Sequence, residues 1–365
     1  MDAGIAELVK GRHHSVSHMQ PVSSFIVGAI LAFSLLSFLS GVAATFIMLL
    51  GIRAIMGLTE GPVLPVMQSI MAVESSESRR GFNMTVLQSV SGTLIATVIA
   101  PPILVGLANA YNWRVAFFLT LVPGLIISIF LAKFLREPKN IEIPHSVVRQ
   151  RSKGRINYGE LFRNSNVWVC LALAVCMNLW FMSIFTFGPL YLTEARHLSP
   201  TMMSLIMSAL GLGGTVWGLI VPALSDRFGR KPIMVIFSAI AGLTPFSLLA
   251  VSNTTWLIVC VVLFNVIGGP MGLYMATIPA ESVPAKYIAG TMGLIQGFGT
   301  LFAMFASTMG GILADRYGLS IVLWIGALAA LVAGIISLLL YETAPVKLRR
   351  RASGLQVTPT EGFGE

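Results

Sequence analysis

Long uncharged, apolar blocks alternate with short charged segments along this chain. The uncharged runs cover 13–52, 81–113, 164–193, 198–225, 232–280 and 287–314. A helix that crosses a bilayer needs about 20 apolar residues, so several of these runs hold one or two such helices. Ten spans fit the pattern: 22–41, 43–72, 82–108, 114–135, 165–193, 199–224, 232–252, 254–280, 287–314 and 318–341. Several exceed the bilayer minimum, which predicts tilt or extension into the interface. Pro62, Pro101, Pro102, Pro189, Pro245 and Pro270 fall inside spans, where neighbouring helices must cover the backbone groups they free. Ser199 followed by Pro200 predicts a helix start, a side-chain cap and then a residue with no N–H to satisfy.

Composition agrees. Hydrophobic residues make up 55% of the 365 and charged residues 11%, against about 25% charged in a soluble domain; mean hydropathy is +0.82. A soluble enzyme is excluded, and the expected fold is an all-α polytopic membrane protein. The three cysteines, Cys170, Cys176 and Cys260, lie in apolar runs at spacings that fit no metal site or disulfide framework. The histidines at 13, 14, 18, 145 and 197 lie outside the spans, which argues against an intramembrane histidine relay. Residues 1–21 are polar and have no hydrophobic core of a cleaved signal.

The net charge of +9 has a topological meaning rather than a nucleic-acid one. With the N-terminus in the cytoplasm and ten alternating spans, 20 of the 24 Lys and Arg residues fall on cytoplasmic segments, as the positive-inside rule requires. Both termini are then cytoplasmic. The basic segment 136–163 cannot span and reads as a cytoplasmic linker between an incomplete N-terminal bundle, 22–135, and a C-terminal bundle, 164–341; 1–21 and 342–365 are the cytoplasmic ends.

An internal repeat supports two bundles. Gly61-Pro62 recurs as Gly269-Pro270, Glu74-Ser75 as Glu281-Ser282, QSVSGTL (88–94) as QGFGTL (296–301), and LANAYNW (107–113) as LADRYGL (313–319). The offsets stay between 206 and 208 residues, the weak symmetry that many secondary transporters carry. Extended backwards, the repeat gives four spans in the first bundle and six in the second. The expectation is a 4+6 arrangement of an underlying 6+6 fold that lacks its first two helices.

Two motifs then point to a family. SDRFGRKP (225–232) resembles the Asp-Arg-x-Gly-Arg-Lys loop of the major facilitator superfamily, and RAIMGLTEGPVLP (53–65) resembles that superfamily's fourth-helix pattern. Glu60 directly before Gly61, with FGPLYL (187–192) and NWRVAF (112–117), is similar to the organic-anion symporter branch, which includes sugar-acid permeases. The resemblance covers Val22 to Tyr341 as the family's helices three to twelve. It implies a two-bundle fold, alternating access, an anion-binding arginine at Arg53 and a proton-coupling glutamate at Glu60. The family's ionisable residues of the first helix have no counterpart here.

Residue chemistry agrees with that expectation. Arg53 and Glu60 are the ionisable residues deep inside a span, where a charge costs about 2.5–3.5 kcal/mol on insertion scales. Seven residues apart, they share a helical face about 10.5 Å apart along the axis. They can thus face one cavity between the bundles, or lock their helix to its neighbours as an internal charge pair. A buried carboxyl can cycle a proton near neutral pH, and an arginine offers a carboxylate a planar fork. Gln88, Asn178, Asn265 and Gln296 are mid-span polar residues that read either as a sugar-acid lining or as helix–helix hydrogen bonds. Tyr274 reads as packing. Asp226, Arg227, Gly229, Arg230 and Lys231 form an expected conformational latch, with Gly229 in a tight turn, Arg230 reaching Glu281, and Asp226 facing the helix that begins near Gly81. Glu74 and Arg79 are the repeat-equivalent pair.

The functional expectation is secondary uptake of a small organic anion coupled to protons, by a monomer in the cell membrane, without cofactor or nucleic-acid partner. APPILVG (100–106) partly echoes the helix-five motif of drug/proton antiporters, with Ala100 in place of its glycine, so a same-fold exporter stays open as an alternative. A truncated product without transport is the other. No GxxxxGK[ST] pattern occurs, which disfavours an ATP-driven pump.

Overall fold

The computed structural model describes residues 22–60, 63, 67, 94–134, 163–284 and 287–344. Every regular element among them is helical: α1 Val22–Val42, α2 Phe46–Glu60, α3 Ala100–Ala110, α4 Trp113–Leu119, α5 Leu121–Phe134, α6 Ser165–Phe185, α7 Phe187–Leu190, α8 Pro200–Phe228, α9 Arg230–Ala241, α10 Leu243–Ala250, α11 Thr254–Phe264, α12 Gly268–Gly272, α13 Ile278–Ser282, α14 Ile288–Tyr317 and α15 Leu319–Ser337. Short π-helical stretches lie at 94–99, Tyr191–Ala195 and Leu273–Thr277. Joined end to end, eight of the described helical segments are long and apolar enough to cross a membrane, and Leu94–Ala110 is a shorter apolar one. Helix α2, 15 residues long, meets the end of the described stretch at Glu60. A helix-only chain is the physical consequence of its composition, because in lipid every backbone group must be paired within its own segment.

The chain forms two compact units. The first contains the described residues 22–60, 63, 67 and 106–134; the second contains 94–105, 163–284 and 287–344. The four-span first bundle expected from sequence includes 94–105, whereas contacts group these residues with the second unit. Gly211 on α8 explains the close approach: a Cβ there would collide with the Thr97 side chain. The expected linker 136–163 lies outside the described residues up to Arg163.

In the first unit α1 packs against α2, α4 and α5. The seam is built from small polar groups. Ser34 sits where a Cβ on Gly124 would stand, and Gly41 leaves room for the Phe118 ring. The Ser37 and Thr120 hydroxyls bond each other at 2.8 Å. Such small residues let helices approach in lipid, where no hydrophobic force drives them together. Asn112 caps α4 through the Arg114 amide, and the Arg114 guanidinium bonds the Ala43 carbonyl just past α1.

The second unit holds a continuous apolar core. Helix α6 packs on α14 and α15, α15 on α9 and α10, and α8 on α11 and α12. Trp180 is fully buried at its centre, and its indole N–H donates to the Ala241 carbonyl at 2.8 Å. Tyr274 is buried in the same core, in the packing role read from sequence. Ser199 caps α8 through the Met202 amide, followed by Pro200 in the first turn.

Candidate functional site

Two groups of side chains carry the chemistry, one in each unit. In the first unit, α2 runs unbroken from Phe46 to Glu60, so Arg53 and Glu60 do occupy one helical face. Both are exposed on this unit. They form no ion pair with each other; the Arg53 guanidinium instead lies over the Phe117 ring, 5.2 Å from its centroid. A cation on an aromatic face is stabilised while its N–H fork stays open to an anion. Met56, three residues after Arg53 and four before Glu60 on the same face, is the buried residue of α2, so the two charged side chains flank a packed position.

In the second unit the mid-span polar residues separate into two kinds. Asn178 on α6 bonds the Ala174 carbonyl of its own helix and lies against Gly299 of α14. Gln296, one turn before Gly299, is exposed. Asn178 thus lies in the α6–α14 seam, whereas Gln296 is on the exposed part of α14. Asn265 is different. It is 1% exposed and donates to the Leu210 carbonyl of α8 at 2.6 Å, so the helix–helix reading describes it and the substrate-lining reading does not. Gln88 lies outside the described residues. A cavity of about 70 Å3 between α6, α14 and α15 is lined by apolar side chains such as Met182, Phe187, Met309 and Ile325. The hydroxyl in its lining, that of Ser183, donates to the Trp180 carbonyl.

At one end of the second unit the basic loop is assembled into a network. Gly229 joins α8 to α9 with φ 102° and ψ 157°, a conformation that side-chain-bearing residues avoid. The turn places Arg230 against three partners. Its guanidinium meets Glu281 through two bonds of 2.8 and 3.1 Å, Asp226 at 2.5 Å, and the Ser225 hydroxyl at 3.2 Å. Arg230 is buried, 6% exposed, and a buried charge persists only when paired and hydrogen-bonded. Asp226 was expected to face the helix near Gly81. Within the described residues it pairs with Arg230 one turn along, its side chain 66% exposed; the helix near Gly81 lies outside the described residues. Arg227 is exposed, and Lys231 enters through its backbone. Glu74, Arg79 and Gly81 lie outside the described residues.

Sequence reading missed the other half of this network. The Arg230 and Lys231 amides, at the positive start of α9, donate to the Glu342 carboxylate at 2.7 and 3.4 Å. Thr343 donates to Glu281 at 2.6 Å. Asn164 caps α6 and donates to the Ser282 carbonyl at 2.5 Å; Asn166 donates to the Ser282 hydroxyl and Tyr341 carbonyl and accepts from the Tyr341 amide. The available signal was a single carboxylate directly after the last apolar run, at the same distance from a span end as Glu281. Among the described residues no group of three or more His, Cys, Asp or Glu is placed to hold a metal ion.

Comparison with known proteins agrees with this architecture. The chain is 25% identical over 303 residues to the probable 4-methylmuconolactone transporter of Cupriavidus pinatubonensis, covering 81% of this chain and 69% of that protein. It is 22% identical over 329 residues to the probable galactarate/D-glucarate transporter GudP of Bacillus subtilis, covering 82% and 71%. It is 28% identical over 235 residues to the glycine betaine/proline/ectoine/pipecolic acid transporter OusA of Dickeya dadantii, covering 60% of this chain and 45% of that one. Among solved structures, a mutant of the nucleoside transporter NupG superposes with a TM-score of 0.70 at 13% identity, covering 88% and 83%. A bacterial homolog of the human lysosomal transporter Spinster, inward-facing and occupied, gives 0.62 at 16%, covering 86% and 81%; at such identities the likeness is one of fold. The Major Facilitator Superfamily profile matches residues 21–303 and 191–363, so this multi-pass membrane protein belongs to that superfamily of transporters.

Proposed function

We propose that this protein takes up a small organic anion across the cell membrane by alternating access, coupled to proton entry. The observation that carries the reading is the Arg53–Glu60 face of α2. An arginine and a carboxyl lie on one face of one apolar helix, both exposed and unpaired with each other. Intramembrane charges are costly and mark function by default. In this reading Arg53 holds the substrate carboxylate through its planar fork, and Glu60 carries the proton. Asn178 and Gln296 are the amides that the second unit offers to hydroxyl groups of a substrate. The network around Arg230 and Glu281 acts as the latch that biases inward- against outward-facing states, at the cytoplasmic end, with both termini on that side. The protein works as a monomer.

Similarity to a probable lactone transporter and a probable sugar-acid transporter supports the anionic class. A zwitterion such as a betaine is the second reading, favoured by the similarity to OusA and by the opposite charges of Arg53 and Glu60. Uptake into proteoliposomes under an imposed pH gradient separates these readings, using labelled D-glucarate and labelled glycine betaine. Glu60→Gln should abolish gradient-driven uptake while leaving exchange of substrate intact. Wild-type gradient-driven uptake by this variant would end the proton-carrier assignment.

A further inference from the structure

The NWRVAF segment, residues 112–117, opens α4 and builds a bracket of rings and cations beside Arg53. Asn112 starts the helix: extended at φ −170° and ψ 152°, it accepts the Arg114 amide through its side chain. The Arg114 guanidinium lies over the Trp113 ring, 4.4 Å from the centroid, and donates to the Ala43 carbonyl at 3.2 Å. Trp113 and Phe117 are one helical turn apart, so their rings meet edge to face, 5.8 Å apart at 90°. Phe117 ends the series with its ring against the Arg53 guanidinium, 5.2 Å from the centroid.

The adjoining residues of α4 are pinned to α1. Phe118 packs on Phe38 with ring centroids 4.9 Å apart and fills the room left by Gly41, while Thr120 bonds Ser37. These contacts fix α4 about its axis, and the neighbouring position, Phe117, carries the ring that meets α2. The partner given to Arg53 is apolar. Glu60 is the one carboxylate among the described residues of the first unit, and it leaves Arg53 unpaired. A carboxylate partner would fill the guanidinium fork and cancel its charge. A ring face holds the cation through its quadrupole and leaves the N–H edge and the full charge for a ligand. An arginine loses rotamer freedom when it grips a ligand, and one already held on a ring has lost part of that freedom beforehand.

We propose that Phe117 is the positioning residue of the anion-binding arginine, with Asn112, Trp113 and Arg114 setting its ring. The proposal rests on the reading of Arg53 as the ligand of the substrate carboxylate. Phe117 acts through Arg53: its ring fixes where the fork stands, and so how tightly a carboxylate is held rather than how fast the carrier turns over.

Two measurements on the whole chain test it: uptake of labelled D-glucarate into proteoliposomes, and the rate at which phenylglyoxal modifies Arg53, read by peptide mass spectrometry. Phe117→Leu keeps apolar bulk and removes the ring face. It is expected to raise the half-saturating D-glucarate concentration about 3- to 30-fold with the maximal rate unchanged. It should also speed Arg53 modification at least about threefold, because the ring no longer stabilises the protonated guanidinium. Phe117→Tyr keeps the face and should return both values to within about twofold of wild type. A tyrosine variant as impaired as the leucine one makes Phe117 a packing residue and overturns the proposal. Should Arg53→Lys be impaired while Phe117→Leu binds and reacts as wild type does, the positioning role falls and the anion ligand stands. Wild-type half-saturation in Arg53→Lys ends the anion-ligand reading and this proposal with it. Should the wild type take up no D-glucarate, the phenylglyoxal rates decide alone, and equal rates for wild type and Phe117→Leu overturn the proposal.

Discussion

Arg230 in the second unit and Arg53 in the first are the same side chain used in opposite ways. Arg230 is buried, and Glu281, Asp226 and Ser225 all bond its guanidinium. Arg53 is exposed, and the Phe117 ring face is its neighbour. Their settings differ in the same sense. The apolar core runs from Val167 to Leu340 through the second unit. The described part of the first unit is joined largely by serines and glycines, with Ile26, Ala43 and Met56 as its buried hydrophobic residues. A satisfied charge in a packed bundle holds an end together. An arginine with an open fork is left available for a ligand. Substitutions should therefore act on stability in one unit and on transport in the other.

The largest effect is expected for Glu281→Ala. It leaves the buried Arg230 guanidinium short of its bidentate partner and Thr343 without its acceptor, which should cost about 3 kcal/mol. Denaturant unfolding of the solubilised protein reads this. A loss below about 1 kcal/mol would mean that Asp226 suffices and that the network is not a stabilising one.

Next comes Arg53→Lys, expected to reduce substrate affinity by about 10- to 100-fold, the worth of a charged hydrogen bond that an ammonium cannot duplicate. Its unfolding free energy should stay within about 0.5 kcal/mol of wild type. A variant that binds normally but unfolds early would erase the contrast between the two arginines.

Gly229→Ala forces a side chain into the φ 102° turn and should destabilise by about 1–3 kcal/mol. Unfolding midpoints measure it directly. The smallest change is expected for Asp226→Asn. Its carboxyl is largely open to solvent, so the ion pair is screened and worth less than about 1 kcal/mol. A loss matching that of Glu281→Ala would show the two carboxylates to be equivalent, against their difference in burial.

Much of this could be read before any coordinates. Uncharged length alone placed eight described spans within a few residues of their observed bounds, because a lipid-facing helix must be apolar throughout. The Gly229 turn was legible because a glycine between two spans in a charged loop has few other uses. The reach from Arg230 to Glu281 followed from both lying at span ends on one side. The pairing of Asp226 with Arg230, one turn away across the Gly229 turn, becomes visible only once that turn is built.

What the sequence by itself determined was therefore the set of apolar helices, their order, and the charge types at their ends; these depend on each segment's own transfer from water to lipid. Apart from the Arg230–Glu281 pair, which polar atoms meet was decided by tertiary structure. Glu342 lies 112 residues from the Arg230 amide that it caps, and Asn166 lies 175 from the Tyr341 backbone that it clamps. The break between α11 and α12 had a visible cause in Gly268, Gly269 and Pro270, yet only the closing of α8 over it shows that the Asn265 side-chain oxygen is left without a donor. Partner choice in a bundle is set by crossing geometry and by small residues that admit close approach, and neither is a property of one segment.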